Sequence, residues 1–334
     1  MHLEGLSSLA IIGLGKNTGK TTLLNRLLRE NPERTFALTS IGRDGEETDE
    51  VTGTKKPRIY IPRGTLFATA SETLRAGDVT AEILAATPIT TALGPVVILR
   101  ALSDGFVELA GPSRTADLTL VEKKIRTFEP QALFVIDGAV SRISAAGRGL
   151  AEAAVLCTGT AVSRNLEELV RKTQTAVHLL TLPKTELPEP FPENRPALFR
   201  RAWSPVEVST PAGGYDAVRD ALAKGIHGVY FPGAVTEGLI TELLPSPHFR
   251  ELTLLATDGT RFLLRERLLE ILGGRSIRLE VLHPIRLLAV AVNPKDPRGG
   301  SLPEETLRRR LEEVLDLPIL STQDNTRGGD LHEV

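Results

Sequence analysis

Apolar and polar residues alternate in blocks from the amino terminus to about Leu180, and the blocks predict strands and helices in turn. An apolar run over 8–13 predicts a strand, and leucines at helical spacing predict a helix over 19–30. The same patterns predict strands at 35–41, 132–138 and 153–157 and helices at 115–127 and 165–180. Such alternation is typical of a mostly parallel sheet with helices on both faces.

The remaining blocks divide the chain into domains. Prolines cluster between positions 182 and 205, which predicts a linker. The predicted organisation is a first domain over 1–182, a proline-rich linker over 183–205, a second mixed α/β domain over 206–322 and a polar tail over 323–334. The second domain has predicted strands near 228–231, 252–257, 286–292 and 318–321 and helices near 215–224, 262–272 and 303–315.

Shorter blocks fill the middle of the first domain. Extended pieces are predicted at 58–62 and 65–69, followed by a helix from about Ser71. Apolar runs at 95–102 and 106–110 flank Ser103-Asp104-Gly105, a sequence that favours a tight turn. These two runs are therefore predicted to form a β-hairpin.

A glycine-rich turn between the first strand and its helix carries the clearest chemistry in the chain. Its backbone N–H groups and the start of the helix would face phosphate oxygens, and Lys20 would reach the β- and γ-phosphates. The predicted phosphate-binding residues are Gly13, Gly15, Lys16, Asn17, Thr18, Gly19, Lys20, Thr21 and Thr22. This motif predicts a P-loop NTPase type of fold that binds a nucleoside triphosphate, without fixing its base.

A magnesium ion bound with the nucleotide needs oxygen ligands. Thr21 can supply a hydroxyl, and Asp44 and Asp137 follow or end predicted strands that share a carboxyl edge with the phosphate loop. We therefore expect Mg²⁺ to bind Thr21, Asp44 and Asp137, with Lys20, Asp44 and Asp137 as the catalytic residues. The polar segment 42–54, which includes Arg43, has the composition of a switch segment that could sense a γ-phosphate.

A second motif, Asn293-Pro294-Lys295-Asp296, is similar to the Asn-Lys-x-Asp guanine-binding sequence of GTPases. The proline moves the lysine by one position. The motif is therefore interpreted first as a turn, with base contact as the alternative.

The charge balance and the cysteine count of the chain limit the kinds of partner and the cell compartment that we expect. Forty basic and forty-two acidic side chains give a net charge of −2, so we expect neither nucleic acid nor a membrane surface as partner. Cys157 is the single cysteine, which excludes an internal disulfide. With no apolar run of about 20 residues and no secretory signal, the chain is expected to be cytoplasmic.

The phosphate loop itself resembles that of dethiobiotin synthetase and related deviant P-loop proteins. Five residues separate Gly13 from the Gly19-Lys20 pair, one more than in the commonest form. Those relatives that carry a signature lysine have it at the position of Gly15, so Lys16 is the candidate for that role here.

Longer segments resemble the reactivase subunits of lysine 5,6-aminomutase. The resemblance extends from the amino terminus to about Leu180 and rests on segments 13–22, 39–46, 51–57, 61–66, 101–105, 109–112 and 137–139. It implies an ATP-binding accessory protein of lysine fermentation. Its expected partners are the adenosylcobalamin-dependent aminomutase, whose damaged cofactor must be exchanged, and a second reactivase subunit. The similarity to deviant P-loop proteins, which often work as dimers, implies a second copy of the chain as a further candidate partner.

Two other functions fit the same residues. An ATP-dependent ligase or kinase of the dethiobiotin synthetase type would use Lys20 and Mg²⁺ to activate the γ-phosphate toward a small carboxylate. A nucleotide-gated adaptor would hydrolyse ATP slowly and mainly bind other proteins. Stimulation by a metabolite would favour the ligase, and stimulation by a protein would favour the reactivase or the adaptor.

Overall fold

The computed structural model describes residues 3–42, 58–139, 151–188, 195–206, 213–296 and 299–323. Its strands are β1 (Ser8–Gly13), β2 (Phe36–Ser40), β3 (Ile59–Ile61), β4 (Leu66–Ala70), β5 (Ala81–Thr91), β6 (Gly94–Ala101), β7 (Gly105–Val107), β8 (Leu133–Ala139), β9 (Ala153–Gly159), β10 (Ala197–Phe199), β11 (Trp203–Pro205), β12 (Gly228–Phe231), β13 (Val235–Thr236), β14 (Thr253–Ala256), β15 (Phe262–Leu263), β16 (Arg278–Val281), β17 (Leu287–Asn293) and β18 (Ile319–Ser321). Its α-helices are α1 (Lys20–Glu30), α2 (Thr115–Phe128), α3 (Leu166–Leu180), α4 (Gly213–Leu222), α5 (Glu237–Leu243), α6 (Glu266–Gly274) and α7 (Glu304–Glu312).

The chain forms two compact units, and the first is built on a nine-stranded sheet. The strand order is β18-β17-β9-β1-β8-β2-β4-β6-β5. All neighbours from β18 to β4 pair in parallel, while β6 runs antiparallel to both β4 and β5. The protein is therefore mixed α/β with a large, mostly parallel central sheet, as the sequence predicts.

Strand β1 lies in the middle of this sheet, and all six of its residues are buried. A continuously buried strand requires cover on both faces of the sheet. On one face, Leu9 and Ile11 pack in a single apolar cluster with Leu23 and Leu24 of α1. The buried leucines of α1 recur at helical spacing, which explains why the 19–30 pattern predicts this helix well.

The second unit has its own five-stranded sheet, in the order β11-β10-β12-β14-β16. Strands β12, β14 and β16 are parallel, and β10 is antiparallel to β11 and β12. A separate apolar cluster, which includes Phe249 and Leu254, forms its core. Thr236 precedes helix α5, and its hydroxyl caps the helix by accepting a hydrogen bond from the backbone N–H of Leu239.

The unit boundaries differ from the predicted domains. The second unit runs over 171–286, and the chain returns to the first unit at Leu287. Strands β17 and β18, predicted in a second domain over 206–322, belong to the large sheet because β17 pairs with β9. The predicted linker is also wrong in part, since β10 and β11 lie within it and pair in the second sheet.

Two local predictions are also wrong. The runs around Ser103-Asp104-Gly105 do not form a hairpin with each other, because β6 pairs with β4 and β5 while β7 pairs with β3. The helix predicted from Ser71 is a short 3₁₀ helix, Ser71–Ala76. Strand β5 is absent from the sequence-based prediction, because its small and apolar residues, interrupted by Pro88, show no strand alternation.

No helix in the described part of the chain is both long enough and apolar enough to span a bilayer.

Candidate functional site

The predicted phosphate loop connects the carboxyl end of β1 to α1. Its first N–H, that of Leu14, donates to the carbonyl oxygen of Cys157 on β9 at 2.9 Å. The carbonyl of Gly19 accepts from Leu23 N at 2.9 Å, which is the first bond of the helix. The loop is therefore held at both ends by backbone hydrogen bonds, one to the sheet and one to the helix.

Backbone conformation within the loop explains two of its residues. Gly19, which precedes α1, has a φ of 89°, and Asn17 has a φ of 59°. Glycine adopts the left-handed region without cost, and asparagine tolerates it better than most residues. The buried Thr18 between them donates its hydroxyl hydrogen to the carbonyl oxygen of Gly15 at 3.1 Å, which closes the turn.

Lys20 folds back over the loop toward the end of β1. A Cβ atom on Gly13 would lie 2.7 Å from Thr18 Oγ1 and 2.9 Å from Lys20 Cδ. Such distances are too short for a side chain, so glycine is required for this close approach. The Lys20 side chain thus runs across the space above Gly13.

The first turn of α1 faces the same space. The N–H groups of Lys20, Thr21 and Thr22 precede Leu23, whose N–H makes the first intrahelical bond. Unpaired N–H groups and the aligned peptide dipoles make a helix start attractive to anions. Thr21 is partly buried there and can offer its hydroxyl to a ligand of this site.

Asp137 lies on β8, directly beside β1. It is 4% exposed and stands opposite Ile11 of β1 and Ser40 of β2. Leu133 and Val135, four and two residues earlier, belong to the apolar cluster under α1. Because side chains alternate between the faces of a strand, Asp137 also lies on the α1 face. The structure therefore places it on the α1 face of the sheet, two residues before the carboxyl end of β8.

The pKa of the Cys157 thiol depends on the charges near the carboxyl end of β1. It is fully buried on β9, opposite Gly13. Burial raises the pKa of its thiol from 9.0 to about 12, the positive charge of Lys20 opposes the rise, and the negative charge of Asp137 adds to it. Both charges therefore act on one buried point beside Gly13, which supports their position at a common site.

Asn293, at the end of β17, contacts the phosphate loop in a way that the sequence did not predict. Its side-chain Nδ2 donates to the carbonyl oxygen of Asn17 at 3.2 Å. A Cβ on Gly19 would lie 3.1 Å from Asn293 Cβ and 2.9 Å from Thr322 Cγ2. The ends of β17 and β18 thus fix the shape of a loop that lies near the opposite end of the sequence.

The rest of the motif Asn293-Pro294-Lys295-Asp296 forms a turn, as first interpreted. Lys295 N donates to Asn293 Oδ1 at 3.2 Å. Asp296 is 6% exposed, and its Oδ2 is 2.6 Å from Nε of Arg164. Because its carboxylate already holds an arginine, the contacts of Asp296 are those of a structural residue.

The remaining predicted phosphate-binding and magnesium-binding residues are described only in part. Lys16 is exposed and Gly15 is partly buried in the loop. Asp44, Arg43 and the switch segment from residue 43 onward lie outside the described residues. Among the residues that are described, no three His, Cys, Asp or Glu side chains cluster as a metal site. The predicted magnesium ligands that the structure does describe, Thr21 and Asp137, are both on the α1 face.

The environment of Cys157 predicts an unreactive thiol. The thiolate is the nucleophile, so a buried thiol with a pKa near 12 should react with an aromatic disulfide reagent at pH 8 far more slowly in the folded protein than in denaturant.

The same raised pKa makes the stability of the protein depend on pH. Because the pKa of the thiol is higher in the folded protein than in the unfolded chain, its contribution to the free energy of unfolding is fully present below about pH 9. That contribution is lost as the pH rises toward 12.

The Cys157→Ala variant should lose less stability than the parent over that pH range, as measured by urea unfolding. Since Cys157 is the single cysteine, reagent uptake has one source. Rapid labelling of the folded protein at pH 8 would contradict the buried environment.

Comparisons of this chain with protein-family models, with curated protein sequences and with solved structures found no match. The site is therefore defined by the residues of this chain and their geometry. Its firmest elements are the glycine-dependent approach of Lys20 to β1, the start of α1 beside it and the position of Asp137 on the adjacent strand.

Proposed function

We propose that this chain is a P-loop NTPase that binds Mg-ATP and hydrolyses it. The observation that carries the proposal is the arrangement at Gly13, where Lys20 crosses the end of a buried strand beside the start of a helix. A strand, a glycine-rich turn and a helix in this order form a cradle for phosphate groups. The chain offers there backbone N–H donors, the ammonium of Lys20 and the hydroxyl of Thr21.

Each residue has a defined task in this proposal. The N–H groups at the start of α1 bind phosphate oxygens, and the Lys20 ammonium neutralises charge on the β- and γ-phosphates. Thr21 and Asp137 would hold Mg²⁺, which supplies charge neutralisation between the phosphates and keeps most of its water ligands. Two protein oxygens are sufficient for such an ion, since Mg²⁺ bound with a nucleotide needs few protein ligands.

The topology of the sheet supports the same location. From β1 the chain passes through α1 to β2, on the side of β8, whereas β9 pairs with the opposite side of β1. The carboxyl end of β1 is therefore a point where connections diverge to the two sides. Ligands of open α/β sheets bind in the crevice at such a point.

We further propose that the ATPase serves as a reactivating factor for adenosylcobalamin-dependent lysine 5,6-aminomutase. This part rests on the sequence resemblance between the amino terminus and Leu180. Release of a damaged cofactor from its holoenzyme requires the partner surfaces to separate, and nucleotide hydrolysis can make that step directional. In this proposal, ATP and its product give the protein different affinities for the mutase.

Lys20→Ala should weaken ATP binding by roughly 10- to 100-fold, because a charge-assisted contact to phosphate contributes about 1.5–3 kcal/mol. Isothermal titration with Mg-ATP measures the change. Lys123→Ala, which removes an exposed lysine on α2, is the matched control and should bind ATP like the parent. Equal affinity of the Lys20 variant and the control would mean that the loop does not hold phosphate.

Asp137→Asn should reduce hydrolysis more than binding. The substitution keeps the size of the side chain but removes the charge that favours Mg²⁺, so we expect a loss in turnover of roughly tenfold or more with a smaller change in ATP affinity. Steady-state phosphate release, compared with titration of the same variant, separates the two effects. Parallel losses in both would instead indicate a structural role for this buried carboxylate.

The reactivating role is tested by Mg²⁺-dependent ATP hydrolysis, measured with the protein alone and with lysine 5,6-aminomutase inactivated by turnover. We expect the inactivated mutase to stimulate hydrolysis and to regain activity when ATP and fresh cofactor are present. The Lys20→Ala protein should do neither. A rate of ATP hydrolysis that is not changed by the mutase but is raised by a small carboxylate would contradict the reactivating role and favour a ligase.

A further inference from the structure

The first unit contains a pocket of about 170 Å³ next to the antiparallel part of the large sheet. Strands β4 to β7 and the 3₁₀ helix that follows β4 surround it. Neither the phosphate-loop residues nor Asp137 line it. The pocket is therefore separate from the candidate nucleotide site.

The walls of this pocket are mainly apolar. Phe67, Leu99 and Val107 line it and belong to the apolar cluster that also includes the leucines of α1. Leu74 and Val79 line it as well and pack against that cluster. A hydrocarbon group that displaces water from such walls gains the free energy of apolar burial, whereas a charged group would lose its hydration there.

The two hydroxyl groups in the lining are hydrogen-bonded within the protein. Thr69 Oγ1 accepts from the N–H of Ala110 at 2.8 Å and donates to the carbonyl oxygen of Glu108 at 3.1 Å. Thr73 Oγ1 lies 2.7 Å from Thr69 Oγ1 and donates to the carbonyl oxygen of Ala70 at 2.8 Å. Each hydroxyl has one hydrogen, so neither retains a donor for an anionic ligand.

Hydrogen bonds around the pocket hold its walls in place. The backbone N–H of Asp78 donates to the carbonyl oxygen of Phe106 at 3.1 Å, and that of Leu102 donates to Thr80 at 2.8 Å. A Cβ on Gly77, which lines the pocket, would lie 2.8 Å from the same Phe106 oxygen, so glycine is required for this approach. The segment 77–80 is thus fixed against β7 and the end of β6. The pocket is therefore formed before any ligand binds.

The pocket is accessible at one end of the large sheet. Strand β5 is the last in the strand order, and its residues Ala81 and Ile83 line the pocket. Ala81 packs against the apolar cluster, while Ile83 is 60% exposed. A ligand can therefore enter beside Ile83 and lie against Ala81.

We propose that this pocket binds a small uncharged molecule that consists mainly of hydrocarbon. An apolar cavity of about 150 Å³ can hold benzene, so the hydrocarbon part has roughly six carbon atoms. The apolar walls favour this part of the ligand, and the bonded threonines offer no donor to a negative charge. The proposal does not depend on nucleotide binding, because no group of the phosphate loop takes part.

The test uses two pairs of probes, each with an uncharged and a charged member of equal size. Cyclohexanol is paired with cyclohexylammonium, and cyclohexyl methyl ketone with cyclohexanecarboxylate. Each is titrated into the full chain without nucleotide, and binding is followed by saturation-transfer NMR of the probe. We expect each uncharged probe to bind roughly tenfold or more tightly than its ion, because burial of the ion costs its hydration.

Two matched variants locate the binding site. Ala81→Phe fills the pocket from β5 and should abolish binding of cyclohexanol. Ala86→Phe makes the same change on the same strand, at an exposed position outside the lining, and should bind cyclohexanol like the parent. A thermal melt of each variant establishes that it is folded.

Val79→Ala is a further variant that adds no volume to the pocket. It removes two methyl groups from the wall, so it should raise the affinity for the larger ketone relative to cyclohexanol. This result is informative even if Ala81→Phe does not fold.

The proposal is overturned by any of three results. These are an ion that binds as tightly as its uncharged partner, equal cyclohexanol binding by folded Ala81→Phe and Ala86→Phe, or no binding of any probe to the parent chain. Because none of the measurements contains ATP, failure here would leave the nucleotide proposal standing. Loss of ATP binding in Lys20→Ala would likewise say nothing about the pocket.

Discussion

The candidate site depends on the close approach of Thr18 and Lys20 to the α-carbon of Gly13. Each would lie within 3 Å of any Cβ at that position, so the loop can fold back over β1 only if the strand ends in glycine. The other end of the loop has a similar requirement, since Gly19 adopts a left-handed φ and is in close contact with two neighbouring strands. Steric constraints at two glycines thus set the path of the loop and leave room for the Lys20 side chain above the end of β1.

The environment around this turn combines low polarity with a few fixed charges. β1 and β9 are buried along their whole length, which keeps water from the sheet below the loop. Lys20 and Asp137 influence the thiol of Cys157 in opposite directions. Charges in such surroundings interact more strongly than they would in water. A bound anion and its cation would therefore meet a preformed electrostatic arrangement.

The second unit interrupts the first in the sequence but not in the sheet. The chain leaves the first unit within α3, forms a separate five-stranded sheet and then returns as β17 and β18, with β17 paired to β9. The return matters for the site because Asn293 donates to the phosphate-loop carbonyl of Asn17 and Thr322 packs on Gly19. The loop near the amino terminus is therefore shaped by residues that follow the whole of the second unit.

The sequence by itself determined the elements whose signals are local. The apolar run of β1, the leucines of α1 and the Gly-Lys-Thr turn between them each follow from short-range rules. The apolar run before Asp137 likewise places this residue near the carboxyl end of a buried parallel strand, although β8 continues to Ala139. Tertiary structure alone decided which strands pair. The pairing of β6 with β4, the pairing of β17 with β9 and the hydrogen bond from Asn293 to Asn17 all join residues that are distant in the chain. Such contacts depend on packing between elements, and no short window of sequence contains both partners.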